Sequence, residues 1–102
     1  LLDNRSYSIQ IKENVRWFPD IVLMDGNTKL AIVEAKSDLS LFTPDILMKL
    51  QYAIYNDDIP FVILATAGYF EVHGQGNNVI QKSTTAPAKV ELLQLLAEKE
   101  EA

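Results

Sequence analysis

The segment Trp17–Lys36, WFPDIVLMDGNTKLAIVEAK, constrains the fold of this chain more than any other part of it. Its centre, Asp-Gly-Asn at positions 25–27, has the composition of a tight turn between antiparallel strands. The runs on either side, Asp20–Met24 and Lys29–Lys36, are short and rich in Ile, Val, Leu and Ala. This pattern predicts a β-hairpin of two largely apolar strands.

Three charged residues lie at the ends of these apolar strands, where a charge needs a partner or a function. A short turn places Asp20 roughly opposite Glu34, and residues two apart on a strand share a face, so Glu34 and Lys36 point to the same side. Two converging carboxylates predict a Mg²⁺ site, completed by water, substrate phosphate and a backbone carbonyl, for which Ala35 is the candidate. A lysine beside them would orient a water and stabilise the charge that develops on a phosphodiester.

Length and composition limit the possible classes of protein. We expect residues 1–102 to form one domain of a longer protein, because a chain of this size has room for a single core. No apolar run is long enough to cross a bilayer and the N-terminus lacks the pattern of a signal peptide, so we expect a soluble, cytoplasmic protein without a membrane partner. The net charge of −5 argues against a non-specific nucleic-acid binder that works alone.

The rest of the chain predicts a sheet flanked by helices. Alternating apolar residues in Tyr7–Val15 predict a strand that opens the sheet. Thr43-Pro44-Asp45 combines a capping hydroxyl, a first-turn proline and an acid that complements the helix dipole, and it predicts a helix that ends at about Asn56. Further predicted elements are a central strand Pro60–Ala67, strands Tyr69–His73 and Val79–Lys82, a turn-rich stretch Gly74–Asn78, and a helix Pro87–Lys99 with Val90, Leu93 and Leu96 facing inward.

These residues resemble a known family. Pro19-Asp20, followed after a hairpin by Glu34-Ala35-Lys36, is similar to the motif of the PD-(D/E)xK nuclease superfamily. Gln51 and Tyr55, in LQYAIY, resemble the QxxxY motif of a subset of those nucleases. The stretch IPFVILATAGYFEVH is similar to the corresponding part of the N-terminal nuclease domain of the R subunit of type I restriction enzymes. The resemblance covers residues 17–73, more than half of the chain.

The resemblance implies an α/β (α+β) fold with a restriction-endonuclease-like core, in which helices flank a central mixed sheet that contains the hairpin. It also implies a Mg²⁺-dependent DNA endonuclease, in which Mn²⁺ would substitute for Mg²⁺. Asp20, Glu34 and Lys36 would be catalytic, and Asp20, Glu34 and the Ala35 carbonyl would bind the metal. Gln51 would contact DNA or steady Lys36, with Tyr55 in support. DNA, a helicase-like motor and specificity domains of a restriction or defence enzyme would be the partners.

The sequence departs from the family in one respect. These nucleases commonly carry an acidic residue on a first helix, and here the chain begins almost at the first strand, so that helix is expected to be missing from this chain. Two alternatives therefore stay open: a catalytically inactive nuclease-fold module used for assembly, and a nuclease of the repair or resolvase type. A positive face around Lys36, Lys49 and Lys82 would favour an active nuclease, and an exposed hydrophobic face would favour the inactive module.

Three other residues are expected to have structural roles. His73 is the only histidine, and its place at the end of a predicted strand indicates a solvated position rather than a catalytic base. Trp17 and Phe18 are expected to pack against the sheet rather than to stack on nucleic-acid bases.

Overall fold

The computed structural model describes residues 2–3 and 7–101, which form one main β-sheet, a small second sheet and two helices. The α+β class expected from the sequence is confirmed. The strands are β1 (Leu2–Asp3), β2 (Ile9–Lys12), β3 (Val15–Trp17), β4 (Ile21–Asp25), β5 (Thr28–Ala35), β6 (Phe61–Thr66), β7 (Tyr69–His73) and β8 (Val79–Ser83), and the helices are α1 (Pro44–Asp57) and α2 (Lys89–Glu101).

The main sheet has the strand order β1-β4-β5-β6-β7-β8, with five principal strands and a two-residue strand at one edge. β5 and β6 run parallel, and the other neighbouring strands are antiparallel. Parallel neighbours need a long crossover, and α1 provides it here. β5 and β6 are buried for most of their length, as their apolar sequences predicted. The central mixed sheet with a hairpin and flanking helices is therefore confirmed.

The β4–β5 hairpin forms where the sequence predicted it. Gly26 has a φ of +60°, in the left-handed region that glycine adopts without steric cost, and this allows the chain to reverse tightly. Ile21 pairs with Val33, and Val22 pairs with Ile32. A bulge between Leu23 and Met24 shifts the register near the turn only. The register at the far end of the hairpin is the one that positions the candidate site.

The two faces of the main sheet carry separate hydrophobic cores. On one face, Val22, Ile32, Val62 and Leu64 pack with buried residues of α1 and with Ile9 of β2. On the other face, apolar residues of β5, β6 and β7 pack against α2, whose Leu92 is fully buried. Within residues 2–3 and 7–101, no helix has the length and apolar character needed to cross a membrane.

The start of α1 also follows the predicted pattern. Thr43 caps the helix, and its hydroxyl accepts a hydrogen bond from the amide of Ile46 at 3.3 Å. Pro44 occupies the first turn, and Asp45 supplies the acid that complements the helix dipole. The helix ends at Asp57, one residue beyond the predicted end.

The prediction of one strand over Tyr7–Val15 is wrong, because the chain reverses inside this segment. Asn14 has a φ of 63°, a left-handed conformation that asparagine tolerates better than most residues, and it turns β2 back into β3. These two strands form a small sheet of their own, and β1 occupies the edge of the main sheet next to β4. The segment packs on the core through Ile9 instead of opening the sheet.

Two side chains also differ from their predicted positions. Val90 is 71% exposed, because the buried stripe of α2 runs through Leu92, Leu93, Leu95 and Leu96 and Val90 lies off that stripe. Trp17 packs against the core on the α1 side, as expected, but Phe18 is 50% exposed.

Leu92 and Val90 offer a direct comparison of the two helix faces. Leu92→Ala is expected to lower the free energy of unfolding by about 2–5 kcal/mol, because it removes a fully buried side chain and leaves a cavity. Val90→Ala is expected to change it by less than about 0.5 kcal/mol. Urea unfolding of both variants measures these values, and equal losses would contradict the described orientation of α2.

Candidate functional site

Asp20 is held at the end of the β4–β5 hairpin by a backbone hydrogen bond. The amide of Ala35 donates to an Asp20 carboxylate oxygen at 2.8 Å. Because Ile21 pairs with Val33, Asp20 lies level with Glu34 on the neighbouring strand. The hairpin therefore brings the two carboxylates to the same end of the sheet, as its sequence predicted.

Glu34 is a buried carboxylate with incomplete hydrogen bonding. Its residue is only 5% exposed, and Oε1 has no hydrogen-bond partner among the described residues. Lys36 Nζ lies 3.4 Å from the other oxygen, Oε2. Burial raises the pKa of Glu34, and the neighbouring Asp20 raises it further, whereas Lys36 acts in the opposite direction without cancelling the rise. The structure thus gathers Asp20, Glu34 and Lys36, and it leaves one buried oxygen free to accept a ligand.

This arrangement fits a hard cation that takes most of its ligands from outside the protein. In the part of the chain that the structure describes, no group of three or more Asp, Glu, His or Cys side chains lies close enough to hold a metal ion. Mg²⁺ is commonly held by one or two carboxylates, with water and substrate phosphate completing its octahedron. Asp20 and Glu34 meet that requirement, and the Ala35 carbonyl, which follows Glu34 in the chain, stays a predicted third ligand.

Gln51 lies in the core, and its side chain binds a loop and not Lys36. The predicted contact of Gln51 with DNA stays a prediction. The side-chain amide nitrogen of Gln51 donates to the carbonyl oxygen of Gly74 at 3.0 Å and to Asn77 Oδ1 at 3.1 Å, and its amide oxygen accepts from the amide of Gly76 at 2.7 Å. Gln51 is 6% exposed, so these bonds are shielded from water. We call this arrangement the Gln51 clamp. It occupies the whole amide group, and the prediction that Gln51 steadies Lys36 is wrong.

Tyr55 lies far from the carboxylate pair. It is exposed and lines a shallow groove of about 530 Å³, together with Thr28 and Pro60. Thr28 begins β5 and Glu34 stands six residues later, which corresponds to about 20 Å along a strand. The structure therefore does not bring Tyr55 to Asp20, Glu34 and Lys36, and a contact of Tyr55 with DNA stays a prediction.

The three lysines that would form a positive face are each matched by an acid. Lys36 contacts Glu34, and Lys49 contacts Asp45 at 3.0 Å on α1. Lys82 stands directly opposite Glu71 in the pairing of β7 with β8. Charges matched in this way do not make a surface that attracts phosphates strongly.

A polar network on β7 was not predicted from the sequence. Tyr69 donates its hydroxyl to Glu71 Oε2 at 2.8 Å, and His73 Nε2 lies 2.8 Å from Glu71 Oε1. Burial acts to raise the pKa of Glu71, but the hydrogen bonds from His73 and Tyr69 and the charge of Lys82 outweigh it and hold this pKa below its ordinary value. The alternation of Tyr69, Glu71 and His73 along one strand face was the available signal.

His73 differs from its expected solvated position. It is only 5% exposed, and its Nδ1 atom is buried without a partner among residues 7–100. Glu71 of β7 pairs with Leu64 of β6, and Leu64 pairs with Glu34 of β5. His73 pairs with Val62, two residues further along β6. His73 therefore lies farther along the sheet from the carboxylate pair than Glu71 does, on the side of the Gln51 clamp.

Comparisons of this chain with protein-family models, with curated proteins and with solved structures each found no match. The resemblance to PD-(D/E)xK nucleases thus rests on the sequence motif, and it stays a prediction.

The raised pKa of Glu34 predicts how stability changes with pH. A carboxyl group whose pKa is raised by folding stabilises the fold below its unfolded pKa, and this contribution is lost as the pH rises through the folded pKa. Glu34→Gln should therefore raise the free energy of unfolding at pH 7 by about 1 kcal/mol, since it removes a buried charge at the cost of an ion pair with Lys36. This increase in the free energy of unfolding should be smaller at pH 4.

Urea unfolding at the two pH values measures this effect, with Glu98→Gln on the exposed face of α2 as the control. A Glu34→Gln variant that is less stable than the wild type at pH 7 would show that the contact with Lys36 outweighs burial.

Loss of the Gln51 clamp should affect stability. Gln51→Ala removes three hydrogen bonds, each worth about 1 kcal/mol, and leaves buried backbone groups without partners, so a loss of about 2–4 kcal/mol is expected. Faster amide hydrogen exchange at Gly76 should accompany it. Gln94→Ala, at an exposed position of α2, is the matched control. Equal stability of the two variants would contradict a stabilising clamp.

Proposed function

We propose that this chain is a Mg²⁺-dependent endodeoxyribonuclease domain that hydrolyses phosphodiester bonds, with a restriction-endonuclease-like core. Its setting would be the cleavage module of a type I-like restriction or defence enzyme. One observation carries the proposal: Glu34 is buried beside Asp20 with one carboxylate oxygen unpartnered among the described residues. A buried charge without full compensation costs stability, and such groups concentrate at functional sites.

The donor set supports a metal ion of this type. Asp20 and Glu34 would hold the ion, with the Ala35 carbonyl as a further ligand. When bound, Mg²⁺ would polarise the phosphate and favour ionisation of a water molecule. Asp20 is already oriented by the Ala35 amide, which leaves its remaining lone pairs for a ligand.

Lys36 would act on the attacking water and on the charge of the phosphate. Its ammonium group lies 3.4 Å from Glu34, so it reaches the same position as the carboxylate pair. A cation at this point would hold a water molecule by hydrogen bonds and would stabilise the negative charge that develops as water attacks the phosphorus. Lys36 is partly buried, which strengthens these interactions relative to water.

DNA would be held mainly by other parts of the parent protein. The chain has a net charge of −5, and the lysines near the site are matched by acids. Affinity for duplex DNA depends on neutralising phosphates with unmatched cations. A helicase-like motor and specificity domains would therefore deliver the substrate to the carboxylate pair.

The second candidate is a catalytically inactive module of the same fold, used for assembly. The pairing of Lys36, Lys49 and Lys82 with neighbouring acids favours it, as do the exposed apolar side chains of Phe18, Leu39 and Leu41. Glu34 argues against it. In a module that binds no metal, a buried carboxylate next to another carboxylate would only destabilise the fold. A neutral side chain at position 34 would give a more stable protein.

Metal titration distinguishes the two candidates. Calorimetric titration of Mg²⁺ and Mn²⁺ into the full chain should give a saturable heat and a rise in the unfolding temperature, because a ligand of the native state stabilises it. Asp20→Asn and Glu34→Gln should lose both effects, and with them the cleavage of DNA. Lys36→Ala should keep metal binding and lose cleavage by at least about 100-fold, the typical contribution of a well-placed charge.

Asp58→Asn is the matched control, since Asp58 is exposed at the C-terminal end of α1, where a left-handed asparagine fits equally well. Unchanged metal binding in Asp20→Asn would refute the metal site. Metal binding without any cleavage of single-stranded or duplex DNA would favour the inactive module.

A further inference from the structure

A polar groove of about 470 Å³ lies between the β2–β3 sheet and the C-terminal end of α1. The polar side chains that line it are those of Gln10, Lys12, Arg16, Asn56 and Asp57. Neither Lys12 nor Arg16 forms an ion pair with a carboxylate of residues 7–100, whereas Lys36 and Lys49 are each paired with one. In a chain with a net charge of −5, the β2–β3 side of this groove therefore carries a local surplus of positive charge.

The guanidinium group of Arg16 is held in place by uncharged partners. Its Nε donates to Ser8 Oγ, one terminal nitrogen donates to Gln10 Oε1 at 3.3 Å, and the other donates to the Ser8 carbonyl oxygen at 3.2 Å. A guanidinium group has five N–H donors, so two of them stay available for a ligand. Because these partners already fix the planar group, an oxyanion that binds to it causes little further loss of side-chain entropy.

The negative charges near the groove lie on its opposite wall. Among the described residues, Asp57 is the carboxylate that lines the groove, and it accepts a hydrogen bond from the hydroxyl of Tyr7. Lys29 lies 5.4 Å from the centre of the Tyr7 ring and places a third cation near this carboxylate. Glu13 and Asp58 do not line the groove. Since the carbonyl end of α1 acts only within its last turn, an anion is favoured at the β2–β3 wall.

The groove lies on the same side of the main sheet as the carboxylate pair. Ile9 of β2 is buried in the core beneath α1, together with Leu64 of β6. Leu64 pairs with Glu34, and paired residues of neighbouring strands project to the same face, so Glu34 belongs to this side as well. Arg16 stands four residues before Asp20, which limits the distance between their Cα atoms to about 14 Å. A DNA strand with one phosphate per ~3.4 Å of helix axis covers that distance in about four nucleotides.

We propose that Lys12 and Arg16 bind the phosphodiester backbone of DNA, and that this groove positions the strand on which Asp20 and Glu34 act. The inference rests on the proposed nuclease function, which makes DNA the source of the phosphate. Contacts to phosphates fix the position of a nucleic acid and carry no sequence information. Two such contacts are too few to capture DNA against the net charge of the chain, so other parts of the parent protein would still deliver it.

Nuclear magnetic resonance titrations of the full chain with a DNA hairpin duplex test this inference without requiring cleavage. EDTA is present, so that no metal bridges protein and DNA. The Nε–H resonance of Arg16 and the backbone amide of Lys12 should shift as the hairpin is added. The slope of log affinity against log salt concentration should be about −2 for the wild type and about −1 for Lys12→Gln, because one phosphate fewer is neutralised.

Lys89→Gln is the matched control, because it removes the same charge from the start of α2, which packs on the opposite side of the main sheet. It should bind the hairpin with the affinity and the salt dependence of the wild type. Equal losses of affinity in Lys12→Gln and Lys89→Gln would overturn the inference, because they would report only the net charge of the chain.

Inorganic phosphate is the second probe, since a free phosphate ion offers the same oxygen acceptors as DNA. Shifts of Arg16 and Lys12 with inorganic phosphate but not with the hairpin would overturn DNA as the ligand. An absence of shifts at both residues with both probes would overturn the groove as an anion site.

Titration of Mg²⁺ into the wild type and Asp20→Asn tests the nuclease proposal separately, without DNA. Metal binding that depends on Asp20, together with hairpin binding that is unchanged in Lys12→Gln, would overturn the phosphate groove and keep the nuclease proposal. Hairpin binding that depends on Lys12, in a chain that binds no metal, would support the groove and refute the nuclease proposal.

Discussion

Ile21 pairs with Val33 in the β4–β5 hairpin, and every feature of the candidate site depends on this register. It places Asp20 where its carboxylate accepts the Ala35 amide, and it sets Asp20 beside Glu34. A shift of one residue would turn the carboxylate of Glu34 to the opposite face of the sheet. Burial of both faces of β5 prevents such a shift, because it would also move the apolar residues out of two cores.

The same burial makes the ionised carboxylate of Glu34 unfavourable for the stability of the fold. Its carboxylate lies at the edge of a hydrophobic core, near a second carboxylate, and only one of its oxygens has a partner among the described residues. Burial is the largest cause of the raised pKa of Glu34. A structural role would be served better by a neutral side chain, whereas a bound cation would satisfy both carboxylates at once. This contrast is the physical basis of the proposed metal-dependent chemistry.

Under the proposed function, the chemistry would be separated from the capture of DNA. The lysines near the site are balanced by acids, so long-range attraction of DNA would have to come from other parts of the parent protein. The Gln51 clamp binds the loop that follows β7, and it is expected to stabilise the fold.

Local features of the sequence were sufficient to predict the β4–β5 hairpin and the start of α1, since a glycine turn at Gly26 and a capping hydroxyl at Thr43 act within a few residues of chain. The convergence of Asp20 and Glu34 followed from the same hairpin. The partners of Gln51, the burial of His73 and the exposure of Val90 were decided only by the tertiary structure. Each depends on which distant segment packs against a given face, and hydrophobic periodicity does not identify that segment.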